Sequence, residues 1–402
     1  MKILQICHKP PLPAVDGGCI AINNVTQMLL AQGHDVKVLA ISTPKHGVDV
    51  SKLPAEYVKK TRFETVFVNT SIRKLSALKS LLLCRPYHAE RFFTRDMSLK
   101  IKAVLQQEKF DIVQLESLYV APYISIIRQF SNAKIILRTH NVEHLIWDRM
   151  VGNEHSILRK FVLGSLTRSL EKFELKVFNK IDGYMTISDV DYNFFSSRFP
   201  NVSGAVIPFG VNVDDYEPNE EYIPSETPSL FHLGSLDWLP NLEGVEWFLE
   251  DVWPAIAENY PSLTFTLAGR NIPQSIRDLH LSNVIIEGEV PDARAFMLSK
   301  DIMIVPLLSG SGIRVKIIEG MALGKTIITT SIGAEGLAVE HGKNIFIADT
   351  PEEFVDCVGK CVHTPDICKI IGENAASFVA LHHNSDIIVN DLTKFYNKVL
   401  MQ

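Results

Sequence analysis

No apolar run in this 402-residue chain approaches the twenty or so residues that a bilayer-crossing helix needs, which excludes an integral membrane protein of the helical kind. The opening MKILQIC, followed at once by HKPP, is too short an apolar stretch for a secretory leader and is expected to be a first strand. Cysteine is scarce: six residues and no C-x-x-C pair exclude a disulfide framework and point to a reducing, cytoplasmic setting. Four potential metal ligands, Cys357, Cys361, His363 and Cys368, crowd together, but in amphipathic helical text where buried thiols are the ordinary outcome, so no metal is expected there. A P-loop is also absent. GMALGKT over 320–326 would need its first glycine at 319, where Glu319 stands, and it follows a helix rather than a strand. With 40 Lys and Arg against 46 Asp and Glu there is no overall basic footprint, and no nucleic-acid partner is expected.

What is present reads as α/β. The length suits two domains of about 200 residues each. Charge divides the same way: residues 1–210 carry 28 Lys and Arg against 18 Asp and Glu, a net +10, and the remainder a net −16. Apolar runs at 2–7, 35–41, 64–68, 111–115, 134–138 and 183–187 predict strands, with helical text between them, including 19–32 and a long helix over 155–180. The alternation restarts at 230–233 and continues through 263–268, 284–287, 301–306, 326–329 and 344–348, with a last helix at 385–400. Asn241 is a plausible N-cap for a helix from 242. Asp189-Val190-Asp191, the one D-x-D pair, reads as a helix start rather than a metal site.

The most informative stretch is 308–337, LSGSGIRVKIIEGMALGKTIITTSIGAEGL. A loop of small residues, Ser309, Gly310, Ser311 and Gly312, runs into a helix predicted over 313–323 and closed by Gly324. Free amides and the positive dipole end make such a junction an anion site, which Arg314 and Lys316 reinforce. Glu319 follows about one and a half turns on, where it could meet hydroxyls while a phosphate sits at the helix end. Phosphate first and hydroxyls second is the outline of a nucleotide-sugar. In the first half, Gly17 and Gly18 follow the first strand, where a ligand could approach the backbone, and His140 follows the strand at 134–138, again on the ligand edge of a parallel sheet. Residues 71–102 hold eight Lys or Arg against Glu90 and Asp96, interleaved with Leu and Phe, a pattern compatible with an anionic membrane surface or with a solvated helical face.

The 308–337 stretch resembles the donor segment of family 4 retaining glycosyltransferases of the GT-B fold, in the branch reading G-x-G-x-R-x-K-x-x-E-x-M-A-x-G-K. That resemblance implies two doubly wound, Rossmann-like domains facing across a cleft: 1–213 on the acceptor side, a linker at 214–229, 230–380 on the donor side, and 381–402 crossing back to the first domain. It also implies transfer of a sugar from a UDP- or GDP-sugar to a saccharide or lipid-linked acceptor, with retention. No cofactor or metal is implied, and the protein would be cytoplasmic or peripheral on the inner membrane face. On this resemblance Gly17 and Gly18 lie against the donor phosphates, His140 contacts the donor sugar as the catalytic residue, and Glu289 and Val290 form the base-contacting turn. Ser309, Gly310, Ser311, Gly312, Ile313, Arg314, Lys316, Glu319 and Arg270 complete the donor site. Glu319 falls on the second glutamate of the E-x7-E motif, while Ser311 replaces the first. The Arg and Lys that many members carry after the strand at 230–233 are missing, leaving the diphosphate to Arg314, Lys316, Arg270 and helix-end amides. An epimerase of the same fold, or a two-domain ligand-binding protein, would share this outline. The former needs a carboxylate pair at the sugar that cannot be placed, and the latter needs an export signal.

Overall fold

The structure is a computed structural model and describes residues 1–71, 80, 85–154, 156–216, 227–310 and 312–402. The chain forms two compact units, Met1–Gly210 with Asp386–Gln402, and Val211–Ser385.

The first unit holds a seven-stranded parallel sheet. In chain order its strands are β1 (Lys2–Cys7), β2 (Asp35–Ser42), β3 (Glu64–Phe67), β4 (Ile112–Glu116), β5 (Lys134–Arg138), β6 (Gly183–Thr186) and β7 (Ser203–Val206). Their order across the sheet is β3-β2-β1-β4-β5-β6-β7. The strands read as unbroken apolar runs because helices cover both faces; Ile3, Leu4, Ile6, Val36, Val38, Val113, Ile135 and Ile136 are fully buried. The order reverses between β1 and β4, and at such a reversal the two connections leave toward opposite faces and open a crevice at the carboxyl ends. His8, Glu116 and His140 stand just there.

The helix Ser385–Leu400 completes this unit although it follows the whole second unit in sequence. Its apolar face, with Ile388, Val389, Leu392, Phe395 and Val399, packs into the core beneath β1 and β2. Its Tyr396 hydroxyl donates to Gln114 of β4. Gly183 makes room for it: a Cβ there would lie 3.0 Å from Val399 and 3.1 Å from Phe395.

The second unit has a six-stranded parallel sheet of β8 (Leu230–Leu233), β9 (Phe265–Ala268), β10 (Val284–Gly288), β11 (Ile302–Val305), β12 (Thr326–Thr329) and β13 (Phe346–Ile347), ordered β10-β9-β8-β11-β12-β13. Its reversal lies between β8 and β11. Val211 N–H donates to His383 O at 2.7 Å and Ser385 N–H to Val211 O at 2.9 Å, so entry to and exit from this unit are tied together.

Several local expectations change. The donor-segment helix is Val315–Ala322, starting two residues later than predicted, because Gly310 and Gly312 take positive φ of 113° and 80° and Arg314 is extended as the N-cap residue. Gly324, with φ of 66°, ends it as expected. The helix after β8 is Leu239–Trp247, with Pro240 in its first turn, a position that suits proline. Asn241 is therefore inside that helix and does not cap it. β7 was not anticipated: SGAV is a short half-buried edge strand with little apolar signal. The long helix is Ile157–Val177; residue 155 lies outside the described residues, as do 217–226 of the expected linker, Ser311, and most of the basic text at 72–84. What is described of the linker begins with a 3-10 turn, Val213–Tyr216.

Candidate functional site

In the first unit the crevice is organised around Glu116, the last residue of β4 and fully buried. Its carboxylate accepts from Gln5 Nε2 at 3.2 Å, Arg138 Nη1 at 3.2 Å and His140 Nε2 at 3.1 Å, and also from Gln114 Nε2. Burial alone would raise its pKa, but Arg138, His140 and Gln114 outweigh that and bring it down to about 2. Glu116 is thus an anchored anion. Ser117, the next residue, has φ of 92°, a strained value for a side chain-bearing residue; such outliers gather at functional edges.

His140 follows β5 and is held by Glu116, with a side chain 12% exposed. Burial lowers its pKa more than the Glu116 bond raises it. His8, just past β1, bonds through Nδ1 to Glu116 O at 2.8 Å, and its ring stands 6.0 Å from that of His140 at 79°. Burial, with Lys9 and His140 adding to it, pushes its pKa down to about 3. Phe92 and Tyr119, stacked at 5.1 Å, flank His8. The Tyr119 hydroxyl donates to Glu143 Oε2 at 2.8 Å. Burial, then neighbouring Glu174, raises Glu143 to about 7, so this carboxyl straddles its two states near neutrality. Glu174 accepts from His144 Nδ1 at 2.6 Å and from two backbone amides that start the helix Glu143–Asn153.

Gly17 and Gly18 open the helix Gly17–Ala31 with Asp16 as N-cap, its carboxylate accepting from Cys19 N at 2.8 Å. The space above Gly18 is taken by Lys9, whose Nζ would lie 2.4 Å from a Cβ there. Lys9 reaches Asp16 at 2.7 and 3.0 Å, and His46 Nε2 reaches it at 2.9 Å. Asp16, Cys19 and His46 bring three potential ligand atoms within 4.8 Å of one another. A cation there would have to displace the Lys9 ammonium and ionise a Cys19 thiol that burial raises to about 12, so the group fits a metal poorly.

In the second unit the crevice at the β8/β11 reversal is centred on Lys316. It stands at the second position of the helix Val315–Ala322, and its Nζ donates to Asn241 Oδ1 at 2.8 Å and faces His232 Nε2 at 3.4 Å. His232 is fully buried in β8, and its Nδ1 donates to Ile304 O at 2.8 Å, leaving Nε2 as the acceptor. Gly234 leaves the room for this: a Cβ there would lie 2.8 Å from both Lys316 Nζ and Asn241 Nδ2. Burial, then the Arg314 charge, lowers Lys316 to about 7. Arg314, 4% exposed, turns back along the loop: it donates to Gly312 O and reaches Ile332 O at 3.5 Å, with its guanidinium 5.7 Å from the Trp238 ring. Glu319 accepts from the Tyr216 hydroxyl at 3.2 Å, and burial raises it to about 7. Ser309 Oγ donates to Glu243 at 2.7 Å. Arg270 lies past β9, its carbonyl accepting from Leu236 N at 2.9 Å. Glu289 and Val290 form the turn after Gly288, exposed and half-buried respectively. Ile313, half-buried, closes the loop.

Within each unit, then, the structure gathers predicted residues with others that sequence reasoning did not assign to a site: Glu116, His8, Lys9 and Tyr119 in the first, and His232, Trp238, Tyr216 and Asn241, expected only as a helix cap, in the second. Glu116 and His8 were within reach of the carboxyl-edge logic that found His140, since each sits at the same end of an adjacent strand. Tyr216 and Asn241 carry no such signal.

Residues 227–364 match the glycosyl transferases group 1 family. An uncharacterised 44.6 kDa protein of the cps region of Klebsiella pneumoniae is 24% identical, over 98% of this chain and 99% of its own. Among solved structures, sucrose-phosphate synthase of Thermosynechococcus elongatus superposes with a TM-score of 0.71 at 14% identity, over all of both chains. Anabaena HepE in complex with UDP-glucose gives 0.66 at 13%, over 99% of this chain and all of the other. At that level of identity these two report the fold, which is GT-B: two Rossmann-like units.

Proposed function

From the match of residues 227–364 to the glycosyl transferases group 1 family, we propose that the chain moves a hexosyl residue from a nucleoside-diphosphate sugar to an acceptor hydroxyl, with retention and without a metal. The observation that carries this reading is the half-buried Lys316, held by Asn241 beside Gly234. A cation at a helix start, opposite a glycine that keeps the backbone open, is a diphosphate site in physical terms. Glu319, one turn below, is then the acceptor for ribose hydroxyls. Electrostatic stabilisation of the leaving diphosphate by Lys316, Arg314 and helix amides replaces a divalent cation. His140, neutral and oriented by Glu116, serves the sugar. The leaving phosphate takes the acceptor proton in a front-face displacement.

The UDP-glucose held by HepE makes a UDP-sugar the first donor to try. The cps-region relative supports a role in cell-surface polysaccharide synthesis, with a saccharide or lipid-linked acceptor. Peripheral contact with an anionic membrane fits the first unit. At the start of the helix Ile157–Val177, Ile157, Leu158 and Phe161 are 88%, 75% and 71% exposed, interleaved with Arg159 and Lys160. Among the described residues no helix is long and apolar enough to cross a membrane.

The test is thermal denaturation against a panel of UDP-, GDP- and ADP-sugars. A donor at about 100 times its dissociation constant stabilises by about 2.7 kcal/mol. A chain whose melting temperature ignores every member of the panel is not a nucleotide-sugar transferase. Retention is read from the anomeric coupling of the product.

A further inference from the structure

Glu116 does more than hold His140. A backbone carbonyl can only accept, so the His8 Nδ1 that lies 2.8 Å from Glu116 O carries that ring's proton. An ionised carboxylate can only accept, so the His140 Nε2 that lies 3.1 Å from Glu116 Oε2 carries the other. One residue therefore sets the tautomer of two imidazoles, one through its side chain and one through its main chain. Both rings are neutral, and each is left with one lone pair: Nε2 of His8 and Nδ1 of His140. Neither nitrogen has a hydrogen-bond partner among the described residues. The rings stand edge to face, 6.0 Å apart. The stacked Phe92 and Tyr119 lie 6.4 and 6.0 Å from the His8 ring and give the group an apolar wall.

Two lone pairs beside an aromatic wall suit a ligand that donates hydrogen bonds and offers an apolar face. An anion offers only acceptors and would be repelled. A saccharide ring offers hydroxyl donors on its rim and a C–H face for the rings. We propose that His8 is a second sugar-reading residue: its Nε2 and His140 Nδ1 accept hydrogen bonds from hydroxyls of one saccharide, with Glu116 as the positioning residue for both. The inference rests on the sugar-transfer reading above and adds a residue to it. The saccharide is the transferred sugar or the acceptor, and the two are separable by experiment.

His8→Asn keeps an amide nitrogen where Nδ1 was, and so keeps the bond to Glu116 O, but removes the atom at Nε2. His8→Gln places an amide at the reach of Nε2. The probes are UDP-glucose and GDP-mannose, followed by release of the nucleoside diphosphate with water alone and then with methyl glucoside or methyl mannoside as acceptor. His8→Asn is expected to lower kcat/KM by about tenfold to a hundredfold, the weight of a lost hydrogen bond, while UDP or GDP affinity by calorimetry stays at the parent's value. His8→Gln is expected to recover most of that loss. A loss already present with water assigns the contact to the transferred sugar; a loss seen only with the methyl glycosides assigns it to the acceptor. Unchanged kcat/KM in both arms overturns the proposal while the transferase reading stands. Failure of the parent chain to bind UDP, GDP or ADP overturns the transferase reading itself. Should His8→Asn not fold, the ring-nitrogen resonance of His8 in the parent reads the same contact: Nε2 shifts on addition of the sugar nucleotide or the methyl glycoside, and an unmoved resonance overturns the proposal.

Discussion

Lys316 Nζ faces His232 Nε2 at 3.4 Å, and a Cβ on Gly234 would come within 2.8 Å of the former and 3.1 Å of the latter. The lysine thus stands against a neutral imidazole, in a space that a Cβ at position 234 would crowd. Its state then depends on pH near neutrality.

With Lys316 lowered to about 7, the ammonium form grows as pH falls through neutrality. A sugar nucleotide, whose diphosphate does not titrate there, should bind more tightly at pH 6 than at pH 8.5. Lys316→Met should lose about tenfold to a hundredfold in affinity, the weight of one charge-assisted contact, and should flatten that dependence. Calorimetric titration across pH checks both. Stability moves with the same sign rule. A lysine depressed from 10.5 contributes stability above pH 10.5 that is lost as pH falls to about 7, whereas Glu319, raised to about 7, contributes stability below pH 4.5 that is lost as pH rises to 7. Glu319→Gln should remove the second slope from a melting-temperature profile.

Gly269 and Gly234 answer to different constraints. A Cβ on Gly269 would lie 1.7 Å from Gly234 O, at a φ of 147°. Gly269→Ala should therefore cost more than about 2 kcal/mol in urea unfolding. Gly234→Ala meets only the tip of Lys316 and two side-chain nitrogens, which can move. It should keep most of its stability and lose donor binding. Equal damage to stability by the two would show that Gly234 is a packing residue.

Arg314→Lys should not be conservative. The guanidinium spans Gly312 O and Ile332 O and faces Trp238, three contacts that one ammonium cannot reproduce. We expect weaker nucleoside-diphosphate binding by about tenfold to a hundredfold, because the 309–313 loop loses its brace. A calorimetric titration that matches the parent would place the phosphates elsewhere.

His140→Ala should lower kcat strongly and leave nucleoside-diphosphate affinity near the parent's value. Glu116 keeps Arg138, Gln5 and Gln114 as donors, so the fold should survive. Normal turnover by a folded variant would remove His140 from the reaction.

The exposed Ile157, Leu158 and Phe161 should matter to vesicle binding. Co-sedimentation with anionic vesicles should weaken with added salt and fall in the triple serine variant. Indifference to vesicles at low salt would leave the first unit's positive charge as a solvated surface.

Much of the architecture was legible because parallel strands buried on both faces are near-continuous apolar runs. The bounds of β1 and β5 and the helix Ser385–Leu400 were read directly. The edge strand β7, made of SGAV, was missed because half-buried small residues carry no period. His140 could be placed on the ligand edge from its distance past an apolar strand. The partner that orients it could not, since Glu116 and His140 meet only once β4 and β5 pair, with Glu116 opposite Arg138 in the register. Adjacency in the sequence presents Arg314 and Lys316 together, as two cations reinforcing one helix end. Positive φ at Gly310 and Gly312 turns the first into a loop brace and leaves the second facing Gly234, a distinction that backbone geometry makes and spacing does not.

The helix Ser385–Leu400 gives the chain an order of assembly. Tyr396 meets Gln114 across 282 residues, and the whole of Val211–Ser385 lies between the two parts of the first unit. As the chain leaves the ribosome, the second unit is contiguous and can close as soon as it emerges. The first unit, begun earlier, must wait with the lower face of β1 and β2 uncovered until the final turns arrive. A chain truncated after Ser385 should therefore carry a folded second unit and an unfinished first one, which limited proteolysis would reveal.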